Sequence, residues 1–291
     1  MPRAVLLSFF LIAETSAAAY TPRPSKITDW CTPLVARLPK ISLHECLGSK
    51  LSPAGASSLN GFPLLIRDLP ADARHTPAIR VLLLGGIHGD EQTSSAIVFK
   101  WLGNLQSGAP EFQWKIAPVV NPDGLLAPKP VRVNARGIDL NRNFPTPDWQ
   151  KEAPGYWARV TRKDPRRYPG KAPISEPESR WVYDLIEKYK PDVIISVHAP
   201  FGVLDFDGPT TPPSRFGRLV YNRVGVYPGS LGNYSGIHKD IPVVTIELPN
   251  ATQMPPEAEI QRIWLDMQKW IRLHVAAPLR TAKNASSGVD R

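Results

Sequence analysis

Residues Ala78 to Glu91 read AIRVLLLGGIHGDE, and the rest of the chain is organised around them. Val81 to Leu84 is an apolar run of strand formers, and Gly85-Gly86 lets the backbone turn without a side-chain penalty. His88 and Glu91 follow at once. The spacing predicts a buried strand ending in a metal site, because His-x-x-Glu can aim an imidazole and a carboxylate at one ion when His88 sits on the turn and Glu91 opens the next helix. Ligands in open α/β sheets gather at the carboxyl ends of strands, where this turn would lie. Standing alone, the pattern also fits a polar turn with a helix-capping acid.

The 291 residues, 42% of them hydrophobic, suit one α/β domain of ordinary core size and call for no second domain. Residues 1–19 carry Arg3, an apolar run from Ala4 to Ala13, and the small residues Ser16 to Ala19. That is the make-up of a secretory signal peptide, which would send the chain to the periplasm or the exterior. The run is short for a bilayer span and no other segment holds eighteen apolar residues, so no stable membrane anchoring is expected after cleavage. Cleavage removes Arg3 and Glu14 together, so the net charge stays at +9. A basic protein favours polyanionic surroundings, yet the basic residues are scattered apart from a loose cluster at Arg159 to Arg167. No nucleic-acid motif accompanies them, and no nucleic-acid partner is expected. Cys31 and Cys46, the two cysteines, predict a disulfide in an oxidising compartment; as metal ligands they would lack a second pair.

Along the chain, residues 20–60 form an entry segment with half-apolar pieces at Trp30 to Leu38 and Ile41 to Leu47, closed by a small-residue turn at Pro53 to Ser58. A catalytic domain over 61–277 follows, then a polar tail over 278–291. Strands are predicted at Gly61 to Leu69, Val81 to Leu84, Trp114 to Val120, Asp192 to Val197 and Ile241 to Leu248. Helices are predicted at Gln92 to Leu105, from Ser175-Glu176-Pro177-Glu178 to Lys190 with Ser175 as the cap, and at Pro255 to Val275. Asn121-Pro122-Asp123-Gly124 is a strong turn signal. Leu125 to Pro173 and Phe201 to Gly236 are loop-rich, and loops of that length in a compact domain usually carry function.

The elements bring together His88 and Glu91 in GGIHGDE, His198 in SVHAP, Asn141-Arg142 in DLNRNFP and Glu247 in TIELP. As a set these resemble the zinc metallocarboxypeptidase superfamily over about Gly61 to Trp270. The resemblance implies an α/β fold with a mixed, mostly parallel central sheet and helices on both faces. It also implies a zinc enzyme with one Zn2+ per chain, held by His88, Glu91 and His198. Glu247 would be the base, Asn141 and Arg142 would grip a substrate carboxylate, Arg132 would polarise the scissile carbonyl and bind substrate beside them, and Asp139 would orient the first zinc histidine. Tyr227 is the nearest candidate for the mobile tyrosine of some members, but its spacing does not match and it stays outside the catalytic set.

Within that superfamily the chain looks most like the murein peptide amidases, which cut the γ-D-glutamyl-diaminopimelate bond of peptidoglycan peptides. It shares NPDG, the arginine nine residues before the Asn of DLNRNFP, SEPE opening a helix, and PGS-x-G ahead of the Glu strand. It departs from them in its export signal and its shorter GVYPGS segment. The implied partner is a peptidoglycan-derived peptide. A general metallocarboxypeptidase, a deacylase of the desuccinylase and aspartoacylase type, and a murein-binding protein without zinc stand beside that expectation. His44, His75, His238 and His274 lack ligand context and are assigned to structure.

Overall fold

Each apolar run that the periodicity marks as a strand enters one sheet. The computed structural model describes residues 26–74, 78–105 and 110–278. The signal expected at 1–19, His75, and the polar tail beyond its first residue lie outside the described residues. In chain order the entry segment gives helices α1 (Ile27–Val35) and α2 (Leu43–Gly48), then strands β1 (Ser52–Ser57), β2 (Pro63–Leu69) and β3 (Arg80–Leu84). Next come α3 (Gln92–Asn104), β4 (Gln113–Ala117) and the short α4 (Pro122–Leu126). Helices α5 (Trp149–Arg159) and α6 (Pro177–Tyr189) precede β5 (Val193–His198), β6 (Val203–Asp207), β7 (Arg215–Phe216) and β8 (Leu219–Tyr221). Strand β9 (Val243–Glu247) and helix α7 (Glu257–Ile271) close the fold.

Among the described residues the sheet has nine strands in the order β1-β2-β4-β3-β5-β9-β6-β8-β7. The four central strands β4, β3, β5 and β9 run parallel, and antiparallel pairings attach both flanks. Central strands covered on both faces are mostly apolar, which is why β3, β5 and β9 read as near-continuous runs, whereas β4 carries Gln113 and Lys115. Val81 and Leu83 of β3 point into one core with Ile97, Trp101 and Trp264, whereas Leu82 and Leu84 point into another with Trp181, Ile186 and Tyr234. The same parity holds on β9, where Val244 and Ile246 join the first core and Val243 the second. Cys31 and Cys46 form the expected disulfide and pin α1 to α2 on the first core.

Four expectations are corrected. Pro53 to Ser58 is not a turn but most of β1, an edge strand paired with β2; an edge tolerates Pro53 and Gly55 because only one side of its ladder is used. The cap of α6 is Glu176, not Ser175, since Pro177 with its fixed φ takes the first helical position and sets the frame. Residues 125–173 contain α5, hidden from periodicity by Pro154 and Gly155 within it. Residues 201–236 contain three strands and a turn of π-helix at Gly232–Ile237.

Candidate active site

The turn after β3 is built for close approach. A Cβ at Gly85 would lie 2.8 Å from the carbonyl oxygens of Pro118 and Ser94, Gly86 has a φ of +62°, and a Cβ at Gly89 would overlap the backbone of Gly124. With no side chains in the way, the chain folds sharply and presents His88 and Glu91, the latter at the N-cap of α3. Parallel pairing of β5 with β3 brings His198 alongside, and pairing of β5 with β9 places Glu247 opposite His198.

His88 Nδ1 lies 2.8 Å from Glu91 Oε1 and 3.2 Å from His198 Nδ1, while His198 Nδ1 lies 3.1 Å from Glu91 Oε2. The opposite ring nitrogens are occupied elsewhere, His88 Nε2 by Asp139 Oδ1 at 3.1 Å and His198 Nε2 by Ser196 Oγ at 3.0 Å. Two imidazole nitrogens and a carboxylate thus converge in a buried space, with their outer partners fixing the rings. Among the described residues these three side chains are the group whose ligand atoms cluster closely enough to hold one metal ion, within 4.8 Å of one another. The donor chemistry fits zinc.

The segment 132–142 wraps over this triad. Arg132 Nε donates to Asp139 Oδ2 at 3.0 Å, and its Nη1 reaches Glu91 Oε1 at 3.4 Å. Asp139 caps the turn Leu140–Arg142 by accepting from Asn141 N at 3.0 Å. Asn141 Oδ1 accepts from Leu231 N at 2.8 Å, which ties the clamp to the PGS-x-G segment. Arg142 is buried; its Nη1 donates to the Asn141 carbonyl at 2.6 Å, and its Nε is buried with no partner. These two arginines therefore stand over one cavity of about 350 Å³ that is also lined by His88, Glu91, His198 and Glu247.

Charge is arranged to match. Burial alone would raise the carboxyls of Glu91 and Asp139, but His88 and His198 outweigh it for the first, and Arg132 and His88 for the second, so both are held far down in the ionised form. Burial pulls the Arg142 guanidinium down to about 10, leaving it charged at neutral pH. Glu247 goes the other way. Burial, joined by the Glu91 charge, pushes its carboxyl up despite His198, the environment of a group that takes and returns a proton.

All the residues expected at the site meet there, apart from Cys31 and Cys46, whose bridge lies on the other core. Others were left outside the expected set. Tyr227, set aside by its spacing, packs its ring on Arg142 at 4.4 Å and donates through its hydroxyl to the Val224 carbonyl at 3.0 Å. Trp149 of α5 donates to the Arg142 carbonyl at 2.9 Å. Arg166 pairs with Asp90 at 2.8 Å on the rim, so the basic cluster at 159–167 contributes to the mouth of the cavity. Asp205 and Asp207 of β6 also line the cavity. The alternation LDFD was the signal for β6, a strand with one apolar and one polar face.

Comparison with known proteins agrees with this geometry. The zinc carboxypeptidase family profile matches residues 54–204. Murein peptide amidase A of Escherichia coli K12 is 33% identical over 150 residues, covering 51% of this chain and 59% of that protein, so the match spans under two thirds of the relative's length. Murein peptide amidase A of Vibrio campbellii is 30% identical over 199 residues, covering 66% of this chain and 77% of that one. Among solved structures, murein-tripeptide amidase from Escherichia coli O157 superposes with a TM-score of 0.53 at 24% identity, over 77% of this chain and 92% of that one. Bovine thrombin-activatable fibrinolysis inhibitor gives 0.57 at 21% identity, over 83% and 91%. At those identities the likeness is one of fold.

Proposed function

The chain is a metallopeptidase belonging to the zinc carboxypeptidase family, and from that premise we propose that it hydrolyses an amide bond next to a free carboxylate, with the γ-D-glutamyl-diaminopimelate bond of peptidoglycan peptides as its substrate. The observation that carries this is Arg142, a buried guanidinium with a free Nε, stacked on Tyr227 and with its backbone carbonyl held by Trp149, in the cavity that holds the His88, Glu91 and His198 triad. A buried donor without an acceptor is costly, and a substrate carboxylate supplies the acceptor. The names of the curated relatives support peptidoglycan as the source of that carboxylate.

His88, Glu91 and His198 would hold one zinc ion per chain. Zinc, when bound, supplies Lewis acidity and brings the pKa of a water toward about 7. Glu247, raised by burial, accepts the proton of the attacking water and delivers it to the leaving amine. Arg132, held by Asp139, keeps a fixed cation beside the scissile carbonyl to stabilise the charge that develops on its oxygen. Arg142 and Asn141 orient the substrate through its terminal carboxylate. In a murein tripeptide the diaminopimelate α-carboxylate lies one residue beyond the γ-glutamyl carbonyl, where such a clamp would meet it. Export through residues 1–19 would place this activity outside the cytoplasm, and the Cys31–Cys46 bridge is compatible with an oxidising compartment.

The test is to incubate the purified protein with L-Ala-γ-D-Glu-diaminopimelate and follow the products by mass spectrometry. Free diaminopimelate is expected, with a stem peptide extended by D-Ala cut poorly. Arg142→Met should lower kcat/KM by roughly 2–4 kcal/mol of transition-state binding while leaving zinc in place. A tripeptide left whole, beside trimming of ordinary L-peptides, would overturn the murein substrate in favour of a general carboxypeptidase.

A further inference from the structure

The loop that follows α5 is bolted to the carboxylate clamp. The Tyr168 carbonyl accepts from Asp139 N at 2.8 Å, the Pro169 and Ala172 carbonyls accept from Asn143 Nδ2 at 2.8 and 2.9 Å, and Ile174 N donates to the Asn143 carbonyl at 2.6 Å. Asp139 and Asn143 flank Asn141 and Arg142, so the backbone of 168–174 is fixed on both sides of the clamp. The side chains just before it, Arg166 and Arg167, are thereby held at the mouth of the cavity. Arg166 Nη2 meets Asp90 Oδ2 at 2.8 Å, and Asp90 immediately precedes the ligand Glu91. The same Asp90 charge acts on Arg132, which places Arg166 toward the end of the cavity where the scissile carbonyl would lie. Arg167 stands nearer the clamp, where its charge works against that of Arg142.

Arg132, Arg142, Arg166 and Arg167 thus share one opening. Like charges held together repel, and an anion among them relieves the repulsion. Arg142 meets the carboxylate of the leaving residue, whereas the guanidinium of Arg166 has Asp90 as its one partner among the described residues. A planar fork of five donors can keep that contact and offer its other edge to a second carboxylate. The acyl side of the bond shows where such a carboxylate would come from. An α-linked residue has its main-chain carboxyl in the scissile bond, but a γ-linked glutamyl residue keeps a free α-carboxylate four bonds from the scissile carbon, about 5 Å away when extended. We propose that Arg166, with Arg167 beside it, binds this α-carboxylate and so selects a γ-linked over an α-linked acyl residue. The assignment rests on the amidase reading, because it takes Arg142 to hold the carboxylate on the leaving side. The substrate is then gripped by one carboxylate on each side of the bond, and the bond between them is set over the triad.

The experiment compares kcat/KM for L-Ala-γ-D-Glu-diaminopimelate and for the same peptide with its glutamyl α-carboxylate converted to a carboxamide, in the zinc-loaded protein, in Arg166→Gln and in Arg159→Gln. Arg159 belongs to the same basic cluster, at the end of α5, but does not line the cavity, so it controls for net charge alone. Calorimetric binding of L-Ala-D-Glu and of its α-carboxamide to the same three proteins gives a second readout that does not depend on turnover. Wild type should favour the carboxylate about tenfold in both measurements, between the value of an exposed ion pair and that of a buried charge-assisted hydrogen bond. Arg166→Gln, with zinc still bound, should bring the ratio to about one, and Arg159→Gln should leave it as in wild type. A wild-type ratio near one, a preference that survives Arg166→Gln, or an equal loss in Arg159→Gln would overturn the subsite. If L-Ala-D-Glu binds selectively through Arg166 but no γ-glutamyl amide is cut, the subsite stands and the amidase reading falls.

Discussion

At the scale of single residues, the proposed reading divides one task between the triad and Glu247, and substitutions should separate their parts. His198→Ala removes one of three buried donors and should give folded protein with little zinc and no hydrolysis. Glu247→Gln keeps the shape on β9 and removes the proton acceptor, so zinc should remain while turnover falls by about 10² or more. Metal analysis beside kinetics checks both; near-stoichiometric zinc in His198→Ala, or turnover within tenfold in Glu247→Gln, would contradict these roles. Asp207 makes a prediction independent of catalysis. Burial, helped by Asp205, raises its carboxyl from an ordinary 3.8 to about 6 in the folded protein. The folded state thus holds the proton more tightly than the unfolded one, and the stability this brings is complete below pH 3.8 and lost as pH rises through 6. Asp207→Asn never ionises, so it should be more stable than wild type at pH 7.5 by on the order of 1–2 kcal/mol, allowing for partial solvent screening, and nearly equal at pH 4. Urea unfolding at the two pH values measures this, and a wild type at least as stable at pH 7.5 would refute it.

At the scale of elements, the disulfide between α1 and α2 lies on the core opposite the active site, so it should act on stability rather than on chemistry. A bridge between cysteines 15 positions apart contributes about 3 kcal/mol by chain entropy, which for a protein of this size is a Tm shift of roughly 6–12 °C. Melting with and without reductant should show that drop, with hydrolysis below the transition unchanged; an unmoved Tm would mean the packing of Trp30 and Leu34 alone secures α1. Elements also mark where sequence was legible. Strands β3, β5 and β9 were plain because burial on both faces demands mostly apolar residues, and the metal ligands were plain because they sit at or just beyond the ends of such runs. Strand β6 was not, since Asp205 and Asp207 break its apolar pattern to face a cavity. Trp149 was missed, and Tyr227 named but set aside on its spacing, for a different reason: both act on Arg142 through folding of irregular segments, which no local spacing encodes.

At the scale of the whole molecule, the three ligands come from the turn after β3 and from the end of β5, more than a hundred positions apart, and the segment 132–142 folds over both. A bound ion therefore ties together parts of the chain that are distant in sequence. The apolar packing does not depend on it, because a large hydrophobic cluster covers each face of the sheet and neither includes the ligands. Chelation should thus remove activity without unfolding the protein at room temperature. A ligand that binds only the folded state stabilises it by RT ln(1 + [L]/Kd), about 2.7 kcal/mol at a hundredfold excess over Kd, so the metal-free protein should melt roughly 5–10 °C lower. Far-UV circular dichroism at 25 °C should be retained, and added zinc should restore both Tm and hydrolysis. An unchanged Tm alongside lost activity would mean that the metal is held weakly or elsewhere than at His88, Glu91 and His198. Loss of secondary structure on chelation would mean that the two cores lack the stability their burial implies.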